Sequence, residues 1–203
     1  IEQFKDRLIW IASSTHPDEE SIIGSAHKNL KKKYKNLLTI IIPRHIEGSE
    51  EILQKLKKEK LNIIVRSTGK KIKFDTDIFL VDKFGETKMF FKISKFAFIG
   101  GSLNNHGGQN PIEPAQHNLK VVHGPNIQNF REIYHLFKKK KISYRVNNLK
   151  QLIKIADHIL SNKKNNISLK RTGELILKKY VKEINQIFNN EIKKTKILGP
   201  KES

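Results

Sequence analysis

The chain has 203 residues, no cysteine and a formal net charge of +20, which is length enough for one sizeable core and at most two small domains. The lack of cysteine excludes disulfides, thiolate chemistry and cysteine-based zinc sites, and no apolar stretch approaches the roughly 20 residues that cross a bilayer as a helix. A charge of this size suits a polyanionic partner. An equally simple reading is compositional, since lysine, asparagine and isoleucine are abundant together, as in proteins from genomes poor in G and C.

The chain opens at Ile1 in the approach to a strand and reads as part of something longer. "RLIWIAS" (7–13) is a short apolar run and predicts a buried strand. In the "SSTHPDEE" that follows, Pro17 suits a first helical turn, and Asp18, Glu19 and Glu20 suit the positive end of a helix. Ile22, Ile23, Ala26 and Leu30 continue at helical spacing, and lysines 31 to 33 mark its end. The alternation then repeats. Strands are predicted at 37–42, 62–67, 77–82, 96–101, 119–124 and 142–146. Between and after them helices are predicted at 49–60, in the second half of "KFGETKMFFKIS", at 111–118, 129–140, 149–160 and 169–188. Strands separated by helices indicate a parallel sheet covered on both faces, an α/β, Rossmann-like, doubly wound layer. The expected division is a nucleotide-sugar-binding domain over 1–147, carboxyl-terminal helices over 148–190 and a disordered tail over 191–203. The last helix is expected to pack on this domain or on a partner domain beyond the chain.

In such sheets ligands bind outside the carboxyl ends of the strands, so the loops there hold the candidate site. The richest is "GGSLNNHGGQNPIEP" (100–114), with four glycines, three asparagines and two prolines. Gly100 and Gly101 end a strand where a side chain would block a ligand. Gly107 and Gly108 allow positive φ and expose amides. A glycine loop running into a helix near Pro111 is a ready anion site, and phosphate is the expected anion. Glu113 has two readings. With Asn110 as N-cap it matches capping-box spacing; alternatively it points into the rim and accepts from the two hydroxyls of a ribose. Arg44 follows a strand and Pro43, and is either a phosphate fork or an exposed arginine. Glu86, after Gly85, is either a site residue or a first-turn carboxylate.

Other patterns fail. "DTD" (75–77) resembles a metal-holding triplet of some sugar transferases, but it precedes a strand and reads as a turn. The histidines form no HxH or HxxxH pair, so no metal is expected. The spacings of dinucleotide-binding, P-loop and hydrolase motifs are absent. Aromatics are 8%, with no signature of a nucleic-acid-binding fold, so a basic nucleic-acid-binding module is the weaker alternative.

With these residues in view, "GGSLNNHGGQNPIEPAQHNLKVVHGPNIQNF", preceded in order by "SSTHPDEE", "IIIPRH" and "FGET", resembles the carboxyl-terminal half of the 3-deoxy-D-manno-octulosonic acid (Kdo) transferases. The resemblance runs from about Leu8 to Phe137. It implies the second domain of a GT-B glycosyltransferase, binding the donor CMP-Kdo without a metal or other cofactor. It places contacts to CMP on Pro43, Arg44, Phe84, Gly85, Glu86, Asn110, Pro111, Ile112 and Glu113. Thr15, His16, Gly101, Ser102 and Gly108 are further candidates for phosphate or sugar. It also implies a lipid A precursor as acceptor, lipopolysaccharide synthesis, and work at the cytoplasmic face of a Gram-negative inner membrane, whose anionic surface suits the basic chain. The family's base is a glutamate of the amino-terminal domain, together with the membrane anchor and acceptor site. No catalytic residue is therefore named here, and the chain is expected to be inactive alone. A GT-B transferase of another nucleotide sugar is the alternative within enzymes. The sequence departs from the family at Asp18, where glycine is usual, at Gln109, often histidine, and at Phe84, usually methionine.

Overall fold

Seven short runs rich in isoleucine, leucine and phenylalanine form the middle layer of the computed structural model, which describes residues 2–162. They are β1 (Leu8–Thr15), β2 (Leu37–Pro43), β3 (Ile63–Val65), β4 (Ile78–Leu80), β5 (Phe96–Ile99), β6 (Lys120–His123) and β7 (Ser143–Arg145). All pair in parallel, in the order β3-β4-β2-β1-β5-β6-β7. The central strands are buried on both faces: Trp10, Ile11, Ala12, Ile40, Ile41, Ala97 and Phe98 are fully inaccessible. That is why they read as continuous apolar runs rather than alternating ones.

Helices α1 (Glu19–Lys31), α2 (Ser49–Lys58) and α6 (Leu149–Ser161) cover one face. Trp10 and Ala12 meet Ile23, Ala26, Leu56, Leu152 and Ala156 there. Tyr34, just after α1, donates to Asp157 of α6 at 2.6 Å, so α6 is tied to this layer. On the other face Phe4, Phe79 and Phe90 meet edge to face at 5.8–5.9 Å, below α3 (Thr87–Ile93), α4 (Ile112–Gln116) and α5 (Arg131–Lys139). Within the described residues the predicted elements are present with ends shifted by a few residues: β1 runs on to Thr15 beyond the expected 7–13, whereas α4 fills only part of 111–118. The run 62–67 stops at Val65 because Arg66–Thr68 turns as a 3-10 helix. The predicted helix 169–188 and the tail lie outside the described residues.

The chain moves outward from β1 to β2 and on to the edge strand β3, comes back inward with β4 between β3 and β2, then crosses to β5 and moves outward the other way through β6 and β7. The strand order therefore switches between β1 and β5, and the loops after these two strands flank the crevice where such layers take ligands. Because all strands run one way, α1, α2, α3 and α5 all finish at the amino edge. Each carries lysine in its last turn: Lys28 and Lys31, Lys55, Lys57 and Lys58, Lys92, Lys138 and Lys139. Cations there favour the negative helix ends.

That amino edge also holds a closed polar network. The Arg7 guanidinium donates to the carbonyls of Asn36, Lys73, Leu37 and Thr76 at 2.6–2.9 Å. Fully buried His27 lies between Thr39 Oγ1 (2.7 Å) and Asp77 Oδ1 (3.2 Å). Asp77 also accepts from the Asn62 amide at 2.8 Å and from Lys31. Burial pushes the Asp77 carboxyl up, but the bonds from His27, Asn62 and Lys31 outweigh it and hold the group well below the usual carboxylate range. Asp75 accepts from the Asn62 side chain at 2.9 Å. The "DTD" triplet thus serves the fold: Asp75 lies in a turn, as expected, and Asp77 sits just before β4.

Candidate functional site

The strands β4, β2, β1 and β5 are neighbours, so their carboxyl ends present four loops side by side. In that order the loops carry Phe84–Glu86, Pro43–Arg44, Thr15–His16 and the glycine-rich stretch 100–113.

The β1 loop turns tightly. Ser14 (φ 55°) and Asp18 (φ 76°) both take left-handed backbone. The latter explains the departure at Asp18: the position needs the conformation glycine adopts freely, and aspartate is among the few other residues that tolerate it. The turn delivers Glu19 inward at the start of α1. Its carboxylate is buried, 1% exposed, and accepts from four amides: His16 (3.0 Å) and Gly101 (2.8 Å) on one oxygen, Ser102 (3.1 Å) and Leu103 (3.0 Å) on the other. Burial raises its pKa, and the four amides oppose the rise.

Sequence reasoning missed this role. The amides of Gly101 and Ser102, expected to face a ligand anion, face an anion of the protein itself. The Gly108 amide donates to the Gly101 carbonyl at 2.8 Å, and Gln109 donates to Gly100 at 3.2 Å. These three amides, Gly101, Ser102 and Gly108, therefore shape the loop instead of standing free for phosphate. Ser102 Oγ is also engaged, donating to Ile99 (2.5 Å) and accepting from Gly124 (2.8 Å). The backbones pack so closely that a Cβ at Gly100 would run into the Ser14 carbonyl, and one at Gly124 into that of Ser102.

Thr15 and His16 are nearly inaccessible. The Thr15 carbonyl accepts from the Arg44 amide at 2.9 Å, joining the β1 and β2 loops. Thr15 and Pro43 line a cavity of about 90 Å³ with Glu20 and His45. Glu20 is buried beside the Thr15 hydroxyl, and burial raises its pKa. The His16 ring stacks on His106 (centroids 4.0 Å, 17°) and meets His45 edge to face at 5.9 Å. Gln109 Nε2 lies 3.3 Å from His16 Nε2. Burial first, then His106, His45 and Arg44, lower the His16 pKa to about 4, so the ring is neutral at pH 7. Among the described residues no group of three or more His, Cys, Asp and Glu is arranged to hold a metal ion.

The Arg44 side chain is exposed, and its guanidinium makes no hydrogen bond or ion pair among the described residues. Glu113 likewise makes no hydrogen bond or ion pair among the described residues, although its charge acts on His117 one turn along. Asn110 Oδ1 accepts from Ile112, two residues on, at 2.9 Å, so the reciprocal capping box is not formed. Pro111 is buried at the start of α4, and Asn110 is exposed beside it. Glu86 takes a third course that neither reading foresaw. Arg66 grips it with two bonds of 2.9 Å, in the forked geometry of guanidinium and carboxylate. Phe84 stands 73% exposed beside Gly85. No hydrogen bond, ion pair or ring contact among the described residues links Phe84–Glu86 to the other candidates, although their loop shares the edge.

No family model matches the chain. A 3-deoxy-D-manno-octulosonic acid transferase of Haemophilus influenzae is 40% identical over 160 residues, 79% of this chain and 38% of the relative. One of Rickettsia bellii is 28% identical over 196 residues, 92% of this chain and 47% of the relative. The chain thus spans less than half of either relative. Among solved structures, the C-terminal CMP-Kdo binding domain of WaaA from Acinetobacter baumannii superposes with a TM-score of 0.78 at 28% identity, covering 86% of this chain and 91% of that one.

Proposed function

The chain is a relative of the Kdo transferases, over their carboxyl-terminal region, and from this we propose that it is the CMP-Kdo-binding domain of a GT-B glycosyltransferase that transfers Kdo to a lipid A precursor in lipopolysaccharide synthesis. The observation that carries the reading is local. Four neighbouring strands collect the motif loops on one edge, and there an arginine and a carboxylate, Arg44 and Glu113, make no hydrogen bond or ion pair among the described residues.

In this reading the cytosine lies among Pro43, Phe84 and Gly85, with Glu86 and its Arg66 partner at the outer end. Glu113 accepts from the ribose hydroxyls, and the backbone of Asn110–Ile112 closes on the nucleotide. CMP is the leaving group. Negative charge grows on its phosphate as the sugar bond breaks, so the fixed Arg44 guanidinium stabilises the transition state more than the ground state. The anomeric carbon gains oxocarbenium character, as in glycosyl transfer generally. A donor with a single phosphodiester charge is within reach of one arginine, and no metal is invoked. The base and the acceptor site belong to an amino-terminal half, as in the family. The lysine-lined amino edge suits the anionic cytoplasmic face of an inner membrane. No helix among the described residues is long and apolar enough to cross one.

Titration with CMP, UMP, ADP and a short RNA in moderate salt tests the reading. CMP is expected to bind selectively, and Glu113→Ala to weaken it by about tenfold through the lost ribose bonds. Tight RNA binding with a steep salt dependence and no response to CMP would sink it.

A further inference from the structure

The carboxyl edge holds a concentration of imidazoles that nucleotide recognition does not use. His16 faces His106 and Gln109 from the β5 loop, His45 and Arg44 from the β2 loop, and Glu19 and Glu20 from α1. Neither acid neutralises the group. Glu19 is consumed by its four amides, and Glu20 is buried against Thr15. Among the described residues no carboxylate pairs with Arg44, His45 or His106. Glu51 and Lys55 of α2 line the cavity beside His45 but pair with each other, so three rings in contact beside a guanidinium, none of them ion-paired with a carboxylate among the described residues, form a site that an anion from outside can balance.

The proposed donor carries two anionic groups on the same carbon. An ulosonic acid sugar bears its carboxylate on the anomeric carbon, which also carries the phosphodiester oxygen. Once Arg44 holds the phosphate, the carboxylate must lie within a few ångströms of it, where the imidazoles stand. We infer that the His16–His45–His106 cluster is the subsite for the donor's carboxylate, and that it gains a proton as the donor binds. The inference rests on the donor being a CMP-ulosonate. Electrostatics supplies the coupling: an anion at the cluster opposes the burial and the neighbouring positive charge that keep the His16 ring neutral, so the bound state holds more protons than the free state. The consequence is selectivity. A nucleotide sugar without a carboxylate at the anomeric carbon leaves the cluster unbalanced and gains nothing from it.

The test compares two ligands that share base, ribose and phosphodiester: the methyl ester of CMP, and CMP-Kdo fluorinated next to the anomeric carbon to slow its breakdown. Affinities are measured by calorimetry from pH 6 to pH 8, in buffers of different ionisation enthalpy. The fluorinated donor is expected to bind about tenfold more tightly than the methyl ester at pH 6. It is expected to take up protons and to lose most of that advantage by pH 8. His106→Phe, which keeps a ring on His16, and His45→Phe, at an exposed position, should each flatten the pH dependence. Equal affinity of the two ligands, a pH-independent advantage, or full pH dependence in both variants would overturn the inference while leaving CMP recognition standing. Failure of both ligands to bind would instead remove the donor reading on which it rests. If His106→Phe fails to fold, as a thermal melt reports, His45→Phe carries the comparison.

Discussion

At the amino edge of the sheet the Arg7 guanidinium reaches four carbonyls, and Asp77 collects His27, Lys31 and the Asn62 amide. At the carboxyl edge the Arg44 guanidinium and the Glu113 carboxylate make no hydrogen bond or ion pair among the described residues, and three imidazoles crowd together with none of the rings ion-paired with a carboxylate. The same residue types serve both edges. What differs is whether the protein completes their charge itself. A completed network stabilises the fold and has little left to offer a ligand; an incomplete one adds little to stability and is open to a partner.

Substitutions at the two edges should therefore fail in different assays. The largest expected effect is at the amino edge. Asp77→Ala removes the anion shared by Lys31, His27 and the Asn62 amide and is expected to cost about 3 kcal/mol, lowering the melting temperature by roughly 8 °C with CMP affinity retained by the folded fraction. The sign with pH follows from the lowered Asp77 carboxyl. Its stabilising contribution is present above the unfolded value of about 4 and is lost as pH falls through and below that range. Acid unfolding of Asp77→Asn, followed by circular dichroism, should accordingly lose part of the native pH dependence. At the carboxyl edge Arg44→Ala should weaken CMP by roughly tenfold or more while leaving the melting temperature within about 2 °C. A large stability loss there would erase the contrast. The smallest effect is at the β1 turn, where Asp18→Gly relieves left-handed strain and should stabilise by about 0.5 kcal/mol. Its 3.6 Å pairing with Lys55 is exposed and opposes this little.

The contrast also shows what the sequence could and could not disclose. The buried runs of β1, β2 and β5 are visible because burial on both faces demands unbroken apolar residues. Once the parallel layer is inferred, the strand-end rule places Pro43, Arg44 and Glu113 on one edge without any coordinates. Glu19 escaped because its local position supplies a sufficient reason for it: a carboxylate in a first helical turn suits the helix dipole. Its real partners, Gly101 to Leu103, are 82 to 84 residues away, a separation that no periodicity marks. The one available signal was Asp18, since a residue standing where a family prefers glycine points to left-handed backbone and a turn that aims its neighbour inward. Glu86 was hidden in the same way, because Arg66 comes from the end of a different strand.

The tight approach at Gly100 and Gly124 bears on how a mutational scan of this protein would be interpreted. Replacement of either forces apart two loops whose carbonyls occupy the space a side chain would need. Both positions would score as strongly as Arg44 in a screen that records only lost affinity, although neither glycine has to touch the nucleotide. Ranking positions by such a screen would draw the binding footprint too wide, and the excess would fall on the walls of the crevice instead of its contents.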